Sequence, residues 1–246
     1  MAESKRKFPS DYTLSIVIPI FNEEENLIPL TEEFLPILKE TGRGFEVIFV
    51  NDASTDSSLE ILRQLAKKYN QVRAISFEEN CGQTSAFDAG FKAAKNDVIV
   101  TMDGDMQNDP NDIPRLLEKI GEYDMAIGWR RERHDTFIRR ISSTIANAVR
   151  RRGLSDPYHD VGCSLKAFRR DAMLELKLFN HMHRFFPILF DMEGFSVAEV
   201  KVNHRERAHG EAKYGIRNRL VQGLKSIKYV RYMQENKLKY KIKEEL

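Results

Sequence analysis

The sequence predicts an α/β protein built on a parallel sheet, and three observations predict it. Short runs rich in β-branched residues alternate with stretches of helical periodicity through the first half of the chain. The runs are apolar enough to read as buried strands. Directly after four of them comes a polar cluster, the arrangement expected where ligands gather outside the carboxyl ends of an open sheet. Together these describe a sheet of Rossmann type. At 246 residues the chain forms one large domain, or one domain with an extension.

Leu14-Ser15-Ile16-Val17-Ile18-Pro19 is the first strand. Asn22 follows as an N-cap, with Glu25 completing a capping box, and Leu27, Leu30, Phe34 and Leu38 give the next helix its apolar face. Pro36 should kink or shorten that helix. Phe45–Val50 is a second strand, and Ser57-x-x-Glu60 opens a helix carrying Leu59, Leu62, Leu65 and Ala66. Val72–Phe77 and Asp97–Met102 are further strands, separated by a helix over Thr84–Lys95. Asp109-Pro110 starts another helix, with proline in its first turn. The second half is less regular: Met125–Gly128, Cys163–Phe168 and Ser196–Val202 are candidate strands, and Phe137–Arg152 a helix.

The net charge of +2 conceals an asymmetry. Residues 1–125 carry 13 Lys and Arg against 23 Asp and Glu, whereas the remainder carries 26 against 14. An acidic half suits a metal and its ligands; a basic half suits phosphate or an anionic membrane surface. No apolar run approaches the roughly 20 residues that span a bilayer, the start of the chain does not read as a secretory signal, and the two cysteines, Cys81 and Cys163, lack metal-type spacing. A reduced, cytoplasmic setting follows as the expectation, and nothing calls for a nucleic acid partner.

The strand-end clusters are Phe21-Asn22-Glu23, Asn51-Asp52-Ala53-Ser54, Asn80-Cys81-Gly82-Gln83 and Asp103-Gly104-Asp105. The last sets two carboxylates around a glycine, with Gln107 just beyond, and all are oxygen donors of the kind Mg2+ or Mn2+ prefers. The competing reading is an acidic turn that caps the next helix. Asp52 suits either a hydrogen bond to a nucleobase or ribose, or a local turn. On the helix from Phe137, Arg139, Ser143, Asn147 and Arg150 share a polar face that suits either a phosphate or solvent. His204-Arg205-Glu206-Arg207, with Gly210 and Lys213-Tyr214, is a second cationic cluster with the same two readings. From Arg217 a basic amphipathic tail, with Leu220, Leu224, Ile227 and Val230, could rest on an anionic bilayer or pack on the domain.

Val17-Ile18-Pro19-Ile20-Phe21-Asn22-Glu23-Glu24, Asn51-Asp52-Ala53-Ser54-Thr55-Asp56 and Asp103-Gly104-Asp105-Met106-Gln107 resemble, in order, the motifs of glycosyltransferase family 2. Residues from about 14 to 220 are similar to its polyprenyl-phosphate glycosyltransferase branch. The stretches concerned are Asn80–Gln83, Gly128-Trp129-Arg130-x-x-Arg133, Arg139-x-x-x-Ser143, Val161–Arg170 and His204-x-x-Arg207-x-x-Gly210-x-x-Lys213-Tyr214. The resemblance implies a GT-A fold over 14–215, preceded by a polar extension (1–13) and followed by a basic helical extension (216–246). It also implies inverting transfer from a UDP- or GDP-linked sugar to a polyprenyl phosphate. Pro19, Phe21, Asn22, Glu23, Asp52 and Gln83 would contact the donor, with Gly104 and Lys213. Asp103, Asp105 and Gln107 would meet the metal, Mg2+ or Mn2+, and the diphosphate. Asp103, Asp105, Arg139, Ser143 and Arg207 would carry catalysis, the last three through phosphate groups. Two positions depart from the pattern: Phe21 where tyrosine is usual, and Ala212 where serine is usual.

A lipid monophosphate is already an anion at neutral pH, so it can attack the anomeric carbon without a general base. The basic second half suits such an acceptor. A soluble hydroxyl acceptor would need a base, for which Asp191 or Glu193 is placed to be considered, and a non-catalytic nucleotide-sugar-binding subunit of a membrane complex is the third reading. With no spanning segment, a lipid acceptor would be met through a peripheral surface at the cytoplasmic membrane face or a membrane partner subunit.

Overall fold

The computed structural model describes residues 8–130, 150, 153–154, 156–207 and 216–238. The helix expected over 137–152 lies outside them except at Arg150, which is helical. The chain divides into two compact units, Met1–Asp135 with Tyr158–Ala212, and Thr136–Pro157 with Lys213–Leu246.

The first unit is a mixed α/β structure around a seven-stranded sheet. Its strands are β1 (Leu14–Ile20), β2 (Phe45–Asn51), β3 (Val72–Ser76), β4 (Val98–Thr101), β5 (Met125–Arg130), β6 (Lys166–Arg169) and β7 (Val197–Val202), in the order β3-β2-β1-β4-β6-β5-β7. β1 to β4 form the parallel half that the alternation predicts. β6 departs from that expectation and runs antiparallel to both its neighbours. The chain reaches β6 from the carboxyl end of β5, where Asp160 bonds Arg130, so β6 starts at the site edge and descends. Lys166, its first residue, therefore pairs with Thr101, the last residue of β4.

Helices α1 (Glu24–Glu40), α2 (Ser58–Lys68) and α4 (Ile113–Leu117) cover one face of the sheet, and their Leu27, Phe34, Leu62 and Leu116 pack with Ile16, Ile18, Phe49 and Val100 in one core. On the other face α3 (Gln83–Ala93) lies so close to β1 that a Cβ on Gly90 would come 2.3 Å from Val17 Cγ1. There Phe87 and Phe91 meet Phe186 of α6 (Phe186–Glu193), and Phe91 meets Phe168 edge-on. Full burial of each such ring contributes about 1.5–3 kcal/mol. α5 (Arg170–Glu175) follows β6.

Two local expectations are corrected. α1 runs through both Pro29 and Pro36 to Glu40. Both prolines are exposed and lie two turns apart on one side, so the carbonyls they leave unbonded face water. Asn22 does not cap α1: Glu23 holds the cap position without a capping bond from its own side chain, and Asp56 Oδ2 accepts from Glu24 N at 3.1 Å.

In the second unit, α7 spans Ile216–Asn236. Gln234 donates to the Leu154 carbonyl, Arg150 pairs with Asp156, and Ile227 lies against Gly153. Among the described residues no helix is long and apolar enough to cross a membrane.

Candidate active site

In the order β3-β2-β1-β4 the direction of winding reverses between β1 and β4, and a crevice opens where their pairing ends at Val17 and Thr101. Pro19 suits that place. The Thr13 and Val17 carbonyls accept from the β4 side, from Val98 and Met102, so the N–H that Pro19 lacks would point into the opening, where no strand awaits it. All four strand-end clusters converge around this crevice.

The first two are laced together. Asn22 N donates to Ser54 Oγ at 2.9 Å, and Thr55 N donates to Asn22 Oδ1 at 2.7 Å. Glu23 N donates to Ser58 Oγ (2.9 Å), while Ser57 N donates to Glu24 Oε2 (2.8 Å). Glu23 in turn accepts from Asn26 Nδ2 at 2.7 Å. Phe21 is half-buried beside them. Asp52, 4% exposed, ties in the third cluster: its carboxylate accepts from Cys81 N at 2.7 Å and Gly82 N at 2.9 Å, and its carbonyl accepts from Asn80 Nδ2. Of the two readings left open for Asp52, a fixing role is therefore present, but between loops far apart in sequence rather than within its own turn.

The fourth cluster is reached from both sides. Gln83 Nε2 donates to Asp103 Oδ1 at 2.8 Å, and Asp103 N donates to Asn108 Oδ1. Gly104 fits because a Cβ there would sit 2.5 Å from Ile20 Cδ1, so the close approach that needs glycine is to the β1 loop. Asp105 Oδ1 accepts from Gln107 N, and Asp105 Oδ2 from Arg207 Nη2 at 2.6 Å. Burial, and after it the neighbouring Asp103, push the Asp105 carboxyl up to about 6, against the opposing pull of Arg207. The Gln107 side chain turns to the Arg205 carbonyl, 3.4 Å away. Each of the four loops holds one residue at positive φ: Asn22 (54°), Ala53 (54°), Gly82 (86°) and Met106 (61°). At the three that are not glycine this is backbone strain, which concentrates at functional sites.

Arg207 arrives on a riveted segment. Arg205 donates to Glu33 Oε1 at 2.6 Å and Asp109 Oδ1 at 2.7 Å, and Asn203 N donates to Asp112 Oδ2. Burial alone would raise Asp109, but hydrogen bonds from Asn111 and Asn203 and the Arg205 charge hold it below its ordinary value. Arg139, Ser143 and Lys213 lie outside the described residues.

Three further residues shape the charge under the site. Arg130 clasps Asp160 through Nε (2.7 Å) and Nη2 (3.0 Å). Lys166, 3% exposed, donates to the Cys163 carbonyl, and burial lowers its pKa while the Asp103 and Asp160 charges act to retain its proton. The sequence signal for this group is a lysine set between Leu165 and Ala167 within the candidate strand Cys163–Phe168.

Among the described residues no three His, Cys, Asp or Glu side chains form a ready metal cage. Two adjacent carboxylates, one of them buried and opposed by the other, nonetheless fit Mg2+ or Mn2+, which takes one or two carboxylates and completes its shell with water and substrate phosphate.

A wound sheet with a carboxylate pair at its switch point defines the class, the GT-A glycosyltransferase fold. Residues 15–177 match the model of Glycosyl transferase family 2, and the chain belongs to that family. It is 39% identical to the dodecaprenyl-phosphate galacturonate synthase of Rhizobium johnstonii over 209 residues, 82% of this chain and 62% of that protein. It is 37% identical to the undecaprenyl-phosphate 4-deoxy-4-formamido-L-arabinose transferase of Pseudomonas aeruginosa over 211 residues, 85% of this chain and 62% of that one. The chain thus spans less than two thirds of the length of these relatives. In fold it is similar to glucosyl-3-phosphoglycerate synthase from Mycobacterium tuberculosis, in complex with Mn2+, UDP and glucosyl-3-phosphoglycerate (TM-score 0.67, 18% identity, 91% of this chain and 80% of that one). The same enzyme with Mg2+ and UDP gives 0.66 at 19% identity, over 88% and 79% of the two chains.

Proposed function

We propose that this chain is an inverting glycosyltransferase that moves a sugar from a UDP- or GDP-linked donor to a polyprenyl phosphate, with Mg2+ or Mn2+ at Asp103 and Asp105. The observation that carries the reading is the Asp103/Asp105 pair at the β1/β4 crevice, braced by Gln83 and faced by Arg207. The lipid acceptor is favoured by the names of the relatives, dodecaprenyl- and undecaprenyl-phosphate sugar transferases.

On this reading Pro19, Phe21, Asn22, Glu23 and Asp52 line the nucleoside side of the crevice. Bound at the carboxylates, the cation supplies charge neutralisation for a diphosphate leaving group. Gln83 fixes the rotamer of Asp103, and Arg207 brings a planar fork suited to phosphate oxygens. An oxygen of the lipid phosphate forms the new bond to the anomeric carbon; the bond from that carbon to the diphosphate breaks, and its electron pair leaves with the nucleoside diphosphate. No proton need be removed. Asp191, with Glu193 one of the two candidate bases for a hydroxyl acceptor, accepts the Tyr158 hydroxyl at 2.7 Å on each oxygen. Roles for Gln107 at the metal and for Arg139, Ser143 and Lys213 at phosphates belong to the same proposal.

Contact with the lipid is assigned to α7. Its exposed Lys225, Lys228 and Arg231 are interleaved with Tyr229 and Tyr232, 61% and 65% exposed, a combination suited to an anionic membrane interface. A membrane partner subunit is the alternative route. The test is incubation of the purified chain with Mn2+, labelled nucleotide-sugars and undecaprenyl phosphate. Label in the lipid phase is expected with one donor; none with any donor sinks the proposal.

A further inference from the structure

We propose that Arg207 is an exchangeable counter-ion, held on Asp105 before ligands bind and transferred to the donor diphosphate when the cation takes its place. The inference rests on the reading of Asp103 and Asp105 as cation ligands, and it gives Arg207 a second role, as an internal competitor of that cation.

The geometry carries it in three steps. Arg207 Nη2 donates to Asp105 Oδ2 at 2.6 Å, with the two side chains 26% and 10% exposed, so the pair is partly withdrawn from solvent screening. A divalent ion taking Oδ2 would have a guanidinium as a near neighbour, and like charges at such range oppose each other. Cation and Arg207 therefore cannot both bind Asp105 at full strength. Second, the backbone that carries Arg207 is anchored just before it, by Arg205 on Glu33 and Asp109 and by Arg205 N on the Gln107 carbonyl. Anchored there, the arginine can leave Asp105 by side-chain rotation alone. Third, a diphosphate held by the cation offers the released guanidinium oxygens that accept two parallel hydrogen bonds, which one carboxylate oxygen does not.

An exchange of this kind makes cation and nucleotide help each other. Nucleotide draws Arg207 from Asp105 and so raises affinity for the cation; by linkage the cation raises affinity for nucleotide by the same factor. A static Arg207 that only bridges Asp105 and phosphate would instead lose affinity for both ligands when removed.

The experiment measures Mn2+ binding by titration calorimetry, alone and with saturating UDP or GDP, in the wild type and in Arg207→Gln. An R73Q control, which cuts the pair of Arg73 with Glu46, should match the wild type. Removing Arg207 is expected to tighten Mn2+ binding without nucleotide by roughly tenfold and to weaken nucleotide binding by at least that factor. The mutual enhancement should then shrink to the part that direct contact between cation and diphosphate supplies. Weaker or unchanged Mn2+ binding in R207Q, with no nucleotide present, overturns the exchange. A wild type that takes no Mn2+ with either nucleotide overturns the carboxylate site itself, and the inference with it. Should R207Q not fold, Arg207→Lys decides: it keeps the charge and loses the fork, so Mn2+ affinity should hold while the enhancement shrinks. Wild-type enhancement in R207K overturns the exchange.

Discussion

The side-chain amide of Gln83 donates to Asp103 Oδ1 across 2.8 Å, joining the first residue of α3 to the carboxylate two residues beyond β4. α3 cannot drift, since Gly90 lets it press on Val17, so the amide is delivered from a fixed base. Gln83→Leu keeps the side-chain volume and removes the donor. Residues that orient a metal ligand in this way typically cost 10–100-fold in metal affinity or activity when lost. We expect a Mn2+ affinity drop within that range, with a melting temperature close to wild type. An unchanged affinity would mean that Asp103 is positioned without Gln83.

Asp52 does more than its place in an Asn-Asp-Ala-Ser turn suggests. Each carboxylate oxygen takes one backbone N–H of the Asn80–Gly82 loop, from a site 4% exposed. Asp52→Asn replaces one acceptor with an NH2 group facing a backbone donor, leaving an unpaired N–H and losing a charge-assisted bond. A loss of about 2–3 kcal/mol is expected, read as a lower midpoint in urea denaturation. A midpoint equal to wild type would remove Asp52 from the loop framework.

Ala53 sits at φ 54° between strand β2 and the Ser54 that accepts from Asn22. An L-residue with a Cβ pays about 1 kcal/mol or more for that conformation, whereas glycine adopts it freely at some cost in unfolded-chain entropy. The balance favours Ala53→Gly by about 0.5–1 kcal/mol, measurable as a higher melting temperature. If the variant is instead less stable, the Cβ has packing value that outweighs the strain.

The parallel half of the fold and the strand-end location of the site were legible because buried strands leave continuous apolar runs, and Asp103-Gly104-Asp105 follows one directly. What governs the loops was not. Asn22 and Glu25 satisfy a local capping pattern, yet the groups that engage Asn22, Ser54 and Thr55, lie 32 and 33 residues on. The direction of β6 was hidden for a similar reason: a strand's composition does not record which way it runs. Lys166, Arg130 and Asp160 escaped notice as a unit because their association depends on that reversal, which brings Lys166 level with Thr101. Pro36 misled because the cost of a helix proline depends on whether its orphaned carbonyl faces water, and at position 36 it does.

His183 gives the fold a dependence on pH. Thr84 Oγ1 accepts from His181 N at 2.9 Å and lies 2.7 Å from His183 Nδ1, in a hydrogen bond whose direction follows the imidazole tautomer. Burial, reinforced by the Arg184 and Lys166 charges, puts the imidazole well below its ordinary 6.5. Below pH 6.5 the unfolded chain therefore binds a proton that the folded one refuses. Stability attributable to this residue is intact above that pH and falls as pH drops below it, by up to about 1.4 kcal/mol per unit. His183→Gln cannot titrate, and its stability should fall less steeply between pH 6.5 and 5. Parallel curves for the two proteins would show that His183 does not set the slope.

Asp105 joins stability to ligand binding with opposite signs. Its carboxyl is raised to about 6 because burial and Asp103 together outweigh Arg207. A raised acid subtracts stability above that pH, since the folded state then holds a charge it disfavours, and the loss sets in as pH rises from the unfolded value toward and through 6. Asp105→Asn removes the charge and keeps an oxygen for Gln107 N. At pH 7.5 the ligand-free variant should therefore melt at or above the wild-type temperature, even though its pair with Arg207 is gone. Mn2+ reverses the comparison: a cation that binds only the native state stabilises it by mass action, and the carboxylate repulsion becomes the reason to bind it. Saturating Mn2+ should raise the melting temperature of the wild type and leave Asp105→Asn unmoved. An equal Mn2+ shift in both proteins would place the cation elsewhere, and a ligand-free variant that melts well below wild type would mean that the Arg207 pair outweighs the repulsion.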